Sequence, residues 1–246
     1  MLSELFSIWS SGDFTMLHVI FVLLSYAALI LVSLPVHEFA HAFAAYKLGD
    51  ETAKWTGRLS LNPMKHLDPF GTVMLLLCGF GYARPVPVNP RYFRGSEKSG
   101  MAITALAGPL SNLLMAILAT AIYRLIALVC GDAQLEIVGY ELYYSGPSQY
   151  MDLVYYAYLF FIRIFASINI SLAVFNLLPI PPLDGSRIFS AILPDKLVYT
   201  LEQYERYITM GLFVLLLMGV LNGPLSALHH AFGSLICTVL GMPNIF

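Results

Sequence analysis

The sequence predicts an all-α polytopic membrane protein with about five to six transmembrane helices and one re-entrant, β-like loop. Three observations carry that prediction. The 246 residues are 58% hydrophobic and 11% charged, with a mean hydropathy of +0.73, against roughly 25% charged residues in soluble domains. Apolar runs recur at lengths near the roughly 20 residues that cross a bilayer as a helix. Lys and Arg are unevenly placed: all 13 lie at or after Lys47, most of them between Lys47 and Lys98. A net charge of −2 and a pI near 6.3 give no general affinity for nucleic acid. The chain reads as one integral-membrane domain over 1–246, with a core over about 17–188 and C-terminal helices over about 198–241.

Leu17 to Leu48 is the first apolar run, and it exceeds a single crossing. Tyrosines aside, its ionisable side chains are His18, Lys47 and those of His37-Glu38-Phe39-Ala40-His41. On a helix, His37 and His41 at i and i+4 share one face and can grip a single metal ion, with Glu38 projecting beside them. Zinc held by three protein ligands keeps a fourth position for water, lowers that water's pKa to about 7, and needs a carboxylate to take the proton. The pentad therefore offers two ligands, His37 and His41, and a base, Glu38. A chance pair of histidines in a polar seam would satisfy the spacing alone, but such groups are costly inside an apolar span and normally do a job there. Before this run, Met1 to Phe14 carries Glu4 and Asp13 but no basic residue, so the first span reads as retained rather than removed as a signal peptide.

The positive-inside rule sets Lys47, Lys54, Arg58 and Lys65 in the cytoplasm, so the first helix runs inward and the pentad lies near the cytoplasmic leaflet. Asn62-Pro63 and Asp68-Pro69 make the next stretch a turn-rich connection. Within it, His66 and Asp68 either reach toward the pentad or order the loop by hydrogen bonding. Phe70 to Phe80 is apolar but too short to cross, with basic residues on both flanks, which points to a re-entrant excursion. A surface hairpin is the plainer alternative. From Gly79 to Pro90, prolines alternate with β-branched residues, a pattern suited to extended backbone, and such backbone at membrane depth needs protein or a wet cavity around it. Tyr82, Arg84, Val86 and Val88 are candidates for main-chain pairing with an unwound peptide.

Gly100 to Val129 is a second span, heading outward, in which Ala105, Ala107, Gly108 and Ser111 form a small-residue patch for close helix approach. Asn112 follows it and either packs helices or points at the metal cavity. Gly131 to Asp152 carries Asp132, Glu136, Glu141 and Asp152 and no Lys or Arg, as an outside loop should. Leu153 to Leu178 returns inward, interrupted by Arg163, and ends in Asn176-Leu177-Leu178-Pro179-Ile180-Pro181-Pro182-Leu183-Asp184-Gly185. The prolines stop the helix and leave backbone groups that only a cavity or a partner can satisfy. Asp184 can serve as a third zinc ligand or as the N-cap of a short helix from Gly185 to Leu193, and Gly185 suits a tight turn into that helix. Asn176 can offer its amide to a developing oxyanion or to substrate backbone, a role open to Asn112 as well. Spans near Val198 to Leu221 and Pro224 to Gly241 finish the chain. Glu202, Glu205 and Arg206 form a gate or a salt-bridged interface, and the adjacent His229 and His230 diverge on their helix and read as structural. Cys78, Cys130 and Cys237 have no paired spacing, so no disulfide is expected.

The pentad in one span, together with Asn176 to Gly185 at the end of a later one, resembles the site-2 protease family of intramembrane zinc metalloproteases. The likeness extends over roughly Leu17 to Ile188 and takes in Ala107-Gly108-Pro109-Leu110-Ser111-Asn112, the Asn62-Pro63 to Gly71 segment and the Pro85-Val86-Pro87-Val88-Asn89-Pro90 loop. It implies a three-helix catalytic core, one zinc ion on His37, His41 and Asp184, Glu38 activating the water, and Asn176 holding substrate or the tetrahedral intermediate. It also implies transmembrane proteins as substrates, cut near the cytoplasmic leaflet in regulated intramembrane proteolysis, by a multi-pass protein of the plasma membrane. The length leaves no room for the PDZ insertion or CBS domain that many relatives carry, so a minimal form is expected. Two other classes fit parts of the pattern. A metal-ion transporter or channel could be lined by the same side chains but has no use for Glu38 next to His37. A noncatalytic relative that binds transmembrane partners is disfavoured by the complete catalytic set.

Overall fold

The computed structural model describes residues 16–78, 81–129, 136–138, 141–143 and 149–246. It begins with α1 (Met16–Ala28), a π-helical turn (Leu29–Ser33) and α2 (Leu34–Leu48), which together carry the first apolar run. Pro35 lies at the start of α2. Its missing N–H and its ring disrupt the preceding turn, and the backbone accommodates this by widening into the π-helical register.

A compact connection follows: α3 (Thr52–Trp55), a 3-10 turn (Pro63–Lys65), α4 (Pro69–Cys78), an extended stretch over 81–89, and a second 3-10 turn (Pro90–Tyr92). Next comes the long α5 (Glu97–Val129), then β1 (Glu136–Val138) paired antiparallel with β2 (Glu141–Tyr143), α6 (Gln149–Asn176), α7 (Asp184–Ser190), α8 (Asp195–Leu217) and α9 (Asn222–Val239).

α5 is central and packs against α2, α6 and α7. Lipid tails are as apolar as leucine, so helices associate there through close packing of small side chains. Ala105, Ala116 and Ala119 of α5 and Ala166 and Ala173 of α6 are buried accordingly, while Leu110, Leu114, Leu118 and Leu125 of α5 face outward. Two buried clusters join α5 to α6: Ala119, Tyr123, Ile162 and Ala166 in one, and Ala116, Ile170, Val174 and, from α9, Ile236 in the other. Phe246 packs against both.

Among the described residues, two helices are long and apolar enough to cross a membrane, Leu23–Leu48 and Glu97–Ile126, and Phe161–Asn176 is a shorter apolar helix. Two separate spans are expected at the end of the chain. α8 and α9 pass the test only as a pair and are bent by 84° at their break, where Gly219 takes a φ of 70° and turns the chain. Counting that pair as one gives up to three candidate spans among the described residues, short of the expected five to six.

The 81–89 stretch forms neither helix nor strand ladder among the described residues; the residues ahead of its prolines are biased to extended backbone, as Asn89 shows with φ −115° and ψ 103°. Several polar anchors fix it. Asp50, fully buried, accepts the N–H groups of Thr52 at 2.9 Å and Asn89 at 2.7 Å. The N–H of Arg94 donates to the Leu48 carbonyl at 2.9 Å, and that of Arg84 to the His66 carbonyl at 2.7 Å. The Arg58 guanidinium donates to the carbonyls of Arg84 and Pro85. Burial and the charge of Arg84 lower the Arg58 pKa while Glu38 acts in the opposite sense, and a guanidinium remains charged throughout.

His66 donates from Nε2 to the Ser60 carbonyl at 2.6 Å, and Asp68 accepts the Gly71 N–H at 2.8 Å as α4 begins. Of their two readings, the geometry matches loop ordering. Asp50→Ala removes the acceptor of three part-buried donors, the N–H and hydroxyl of Thr52 and the N–H of Asn89, and so loosens both ends of the connection. Amides over 84–94 are expected to exchange faster in that variant while α5 is unchanged, as hydrogen-exchange mass spectrometry can check.

Candidate metal centre

α2 places His37 and His41 one turn apart, both buried, with ring centroids 4.6 Å apart and planes at 86°. Asp184, the first residue of α7, comes to them from beyond the proline break. Its Oδ2 lies 3.2 Å from Nε2 of His37 and 3.2 Å from Nε2 of His41, and the two Nε2 atoms are 3.0 Å apart. The three ligands expected from the sequence thus lie together.

Asp184 is not a cap. Leu183 holds the N-cap position, and no side chain caps the helix there. Gly185 also acts differently from the expected tight turn: it sits within α7, and a Cβ on it would come within 2.3 Å of the Leu177 and Leu178 carbonyl oxygens. Only glycine lets α7 lie directly on the end of α6, which holds Asp184 over the histidines.

The donor set fits a zinc ion. A carbonyl oxygen can only accept, so the 2.7 Å contact between His41 Nδ1 and the Thr104 carbonyl fixes the proton on Nδ1 and leaves the Nε2 lone pair exposed. Asp184 Oδ2 is buried yet accepts no hydrogen bond, although two ring nitrogens lie beside it. One ligand atom from each of the three residues therefore lies within 4.8 Å of the other two. Tetrahedral zinc, with bonds of about 2.0–2.2 Å, sets neighbouring donors roughly 3.3 Å apart, close to the separations found here.

α5 supplies the floor beneath the two rings. A Cβ on Gly108 would lie 2.4 Å from His41 Nε2 and 2.6 Å from His37 Cε1. The small-residue patch thus leaves room for imidazoles as well as for helix approach. Gly108→Ala is expected to push both rings off the common point and lower the zinc content per purified chain, measured by elemental analysis. A full zinc complement in that variant would contradict the role given to Gly108.

The remaining candidates are distributed around this centre. Glu38 accepts the Val86 N–H on Oε2 at 3.2 Å, so the extended stretch touches the expected base. Arg84 is anchored through both backbone groups as described above. Tyr82 is exposed, and no hydrogen bond falls on Val88 among the described residues. Asn112 is fully buried, with its amide 3.2 Å from His37 Nδ1. Asn176, the last residue of α6, donates to the Leu172 carbonyl at 3.0 Å. Glu202 and Glu205 line a cavity of about 260 Å³ with Pro181, Pro182, Ser186 and Arg187, and no ion pair falls on either glutamate among the described residues. His229 Nε2 is 3.0 Å from Ser167 Oγ, tying α9 to α6. Cys237 is free and buried.

Sequence reasoning missed the Thr104 carbonyl, the room made by Gly108 and the contact between Val86 and Glu38. The Ala-Gly-Pro-Leu-Ser-Asn stretch was the available signal for the second.

Residues 25–219 match the family model described as Peptidase family M50. YwhC of Bacillus subtilis (strain 168) is 40% identical over 191 residues, covering 78% of this chain and 78% of the relative. Rip2 of Mycolicibacterium smegmatis (strain ATCC 700084 / mc(2)155) is 30% identical over 198 residues, covering 78% of this chain and 66% of the relative. Rip2 of Mycobacterium tuberculosis (strain ATCC 25618 / H37Rv) is 30% identical over 199 residues, with the same coverage. All three carry names that describe zinc metalloproteases. No solved structure matches. A family match over most of the chain, joined to two histidines and an aspartate converging beside a glutamate, leads to one assignment: the chain belongs to peptidase family M50, the site-2 protease family of zinc metalloproteases.

Proposed function

We propose that this protein hydrolyses peptide bonds within or near the transmembrane helices of other membrane proteins, with His37, His41 and Asp184 as zinc ligands and Glu38 as the catalytic base. The observation that carries the reading is the convergence of three ligand atoms at 3.0–3.2 Å in a chain whose family is peptidase M50. Zinc bound there supplies Lewis acidity to water and to the scissile carbonyl. Glu38 takes the water's proton on its carboxylate and passes it to the leaving amine, so no covalent intermediate on the protein is needed. Asn176, at the end of α6, keeps its amide oxygen and second N–H for substrate backbone or the developing oxyanion.

A helical substrate hides its peptide bonds in i to i−4 hydrogen bonds and must unwind before it can be cut. In this proposal the Tyr82 to Val88 stretch compensates the unwound backbone by main-chain pairing. Its Val86 N–H rests on Glu38, so a peptide that pairs there would also free the base. The uneven placement of Lys and Arg sets the site toward the cytoplasmic leaflet, in a multi-pass protein of the plasma membrane organised as a single domain.

The test is cleavage of single-span polypeptides by the purified chain in detergent micelles, with products mapped by mass spectrometry. Cuts inside the apolar segment near its basic flank are expected, lost on chelation and restored by zinc. Zinc flux into liposomes without any cleavage would replace this proposal with a transporter.

A further inference from the structure

We infer that Asn112 is a positioning residue of the metal centre, its side-chain carbonyl accepting the Nδ1–H of His37 and so presenting the Nε2 lone pair to the ion. The inference rests on the zinc-peptidase reading above. It differs from the substrate or oxyanion role expected for Asn112 from the sequence.

Geometry carries it. The Asn112 amide is fully buried and lies 3.2 Å from His37 Nδ1, the ring nitrogen facing away from Asp184. The other amide atom, Oδ1 as placed, has no partner among the described residues, so His37 is the hydrogen bond this side chain is buried for. A half-satisfied amide is costly in an apolar interior. Helix packing alone would be served better by leucine, and the residue's retention there is explained by what it does to the ring.

The direction of the bond follows from the ligands. Oxygen and nitrogen of an amide are assigned from the surrounding hydrogen bonds and are interchangeable in shape. With the nitrogen donating to Nδ1, His37 would carry its proton on Nε2, pointing at Asp184 Oδ2 and His41 Nε2, and it could not ligate. With the amide turned over, Oδ1 accepts from Nδ1–H and Nε2 is free. His41 is already held in that state by the Thr104 carbonyl, for which no other direction exists.

Thr104, Gly108 and Asn112 fall at i, i+4 and i+8, on one face of α5. That face fixes one ring, leaves room for both, and fixes the other. The pattern is the outer-shell arrangement by which histidine ligands are usually oriented, here provided by a single helix.

The experiment measures zinc affinity by chelator competition on the full-length purified chain, together with the visible spectrum of the cobalt-substituted protein. Asn112→Leu preserves bulk and removes the acceptor, and Asn112→Asp preserves the acceptor and removes the donors. The leucine variant is expected to lose about 10–100-fold in zinc affinity and to shift the cobalt bands, while the aspartate variant stays near wild type in both. Wild-type affinity in the leucine variant overturns the inference, as does a loss in the aspartate variant as large as that in the leucine variant. Should the leucine variant not fold, the aspartate variant decides alone: near-wild-type affinity is the expected result, and a loss of about 10-fold or more overturns the inference. Failure of the wild-type chain to bind zinc would overturn the peptidase reading and this inference with it, whereas a failure confined to the variants' predicted pattern overturns only the role of Asn112.

Discussion

Glu38→Gln is expected to abolish proteolysis while leaving zinc binding intact. The amide has nearly the same shape as the carboxylate and can still accept the Val86 N–H, which in the native protein reaches Glu38 Oε2 at 3.2 Å, so the extended stretch should keep its place. What it cannot do is take a proton from water or return one to the leaving amine. General acid-base groups contribute about 10²–10⁴-fold to rate, and in the proposed mechanism Glu38 acts at both proton transfers, so a loss at or beyond the upper end is expected. The measurement pairs the cleavage rate of a single-span substrate with zinc content per chain. Near-native cleavage with bound zinc would remove Glu38 from its role as base.

Asp184→Ala should act earlier, on the metal itself. It deletes one of the three proposed ligands and the negative charge that faces both imidazoles at 3.2 Å. The two histidines alone make an incomplete site, so the affinity loss should exceed the about 10–100-fold typical of outer-shell changes, with proteolysis lost in parallel. Asp184→Asn separates charge from volume, since it preserves the side chain's size and should still bind zinc poorly. Chelator competition and elemental analysis distinguish this pattern from that of Glu38→Gln, in which zinc stays and only turnover disappears. Full zinc occupancy in both Asp184 variants would mean the ion is held by other groups.

The parts of this centre that could be read from the sequence are those whose geometry is local. His37, Glu38 and His41 lie within one helical turn and a half, and helical periodicity alone puts the two rings on one face. Asp184 was legible for a different reason: prolines 179, 181 and 182 break α6, and a carboxylate beside an interrupted span is unusual enough to single out. Its alternative, a cap on the short helix, could be dismissed only once Leu183 was found in the cap position.

What stayed hidden or open depends on which helix faces meet. Gly108, whose room for the rings was missed, and Asn112, left between helix packing and the metal cavity, stand on α5, some seventy residues from the histidines in sequence, and a lone sequence does not say which face of α5 meets α2. The same holds for Gly185, whose glycine is required by the carbonyls of Leu177 and Leu178 and not by its own backbone angles. The two spans expected at the end of the chain rest on apolar runs read one at a time, and such a run says nothing of the 84° bend that joins α8 to α9 near Gly219.

The prolines of the extended stretch limit what can pair with it. Pro85 and Pro87 have no N–H, and the Pro85 carbonyl is already taken by Arg58. On the other margin the Val86 N–H is held by Glu38 and the Arg84 N–H by the His66 carbonyl. Under the proposed pairing, a guest polypeptide therefore has to displace Glu38 before a ladder can form, and until then the stretch is blunted against sheet-like self-association between neighbouring copies.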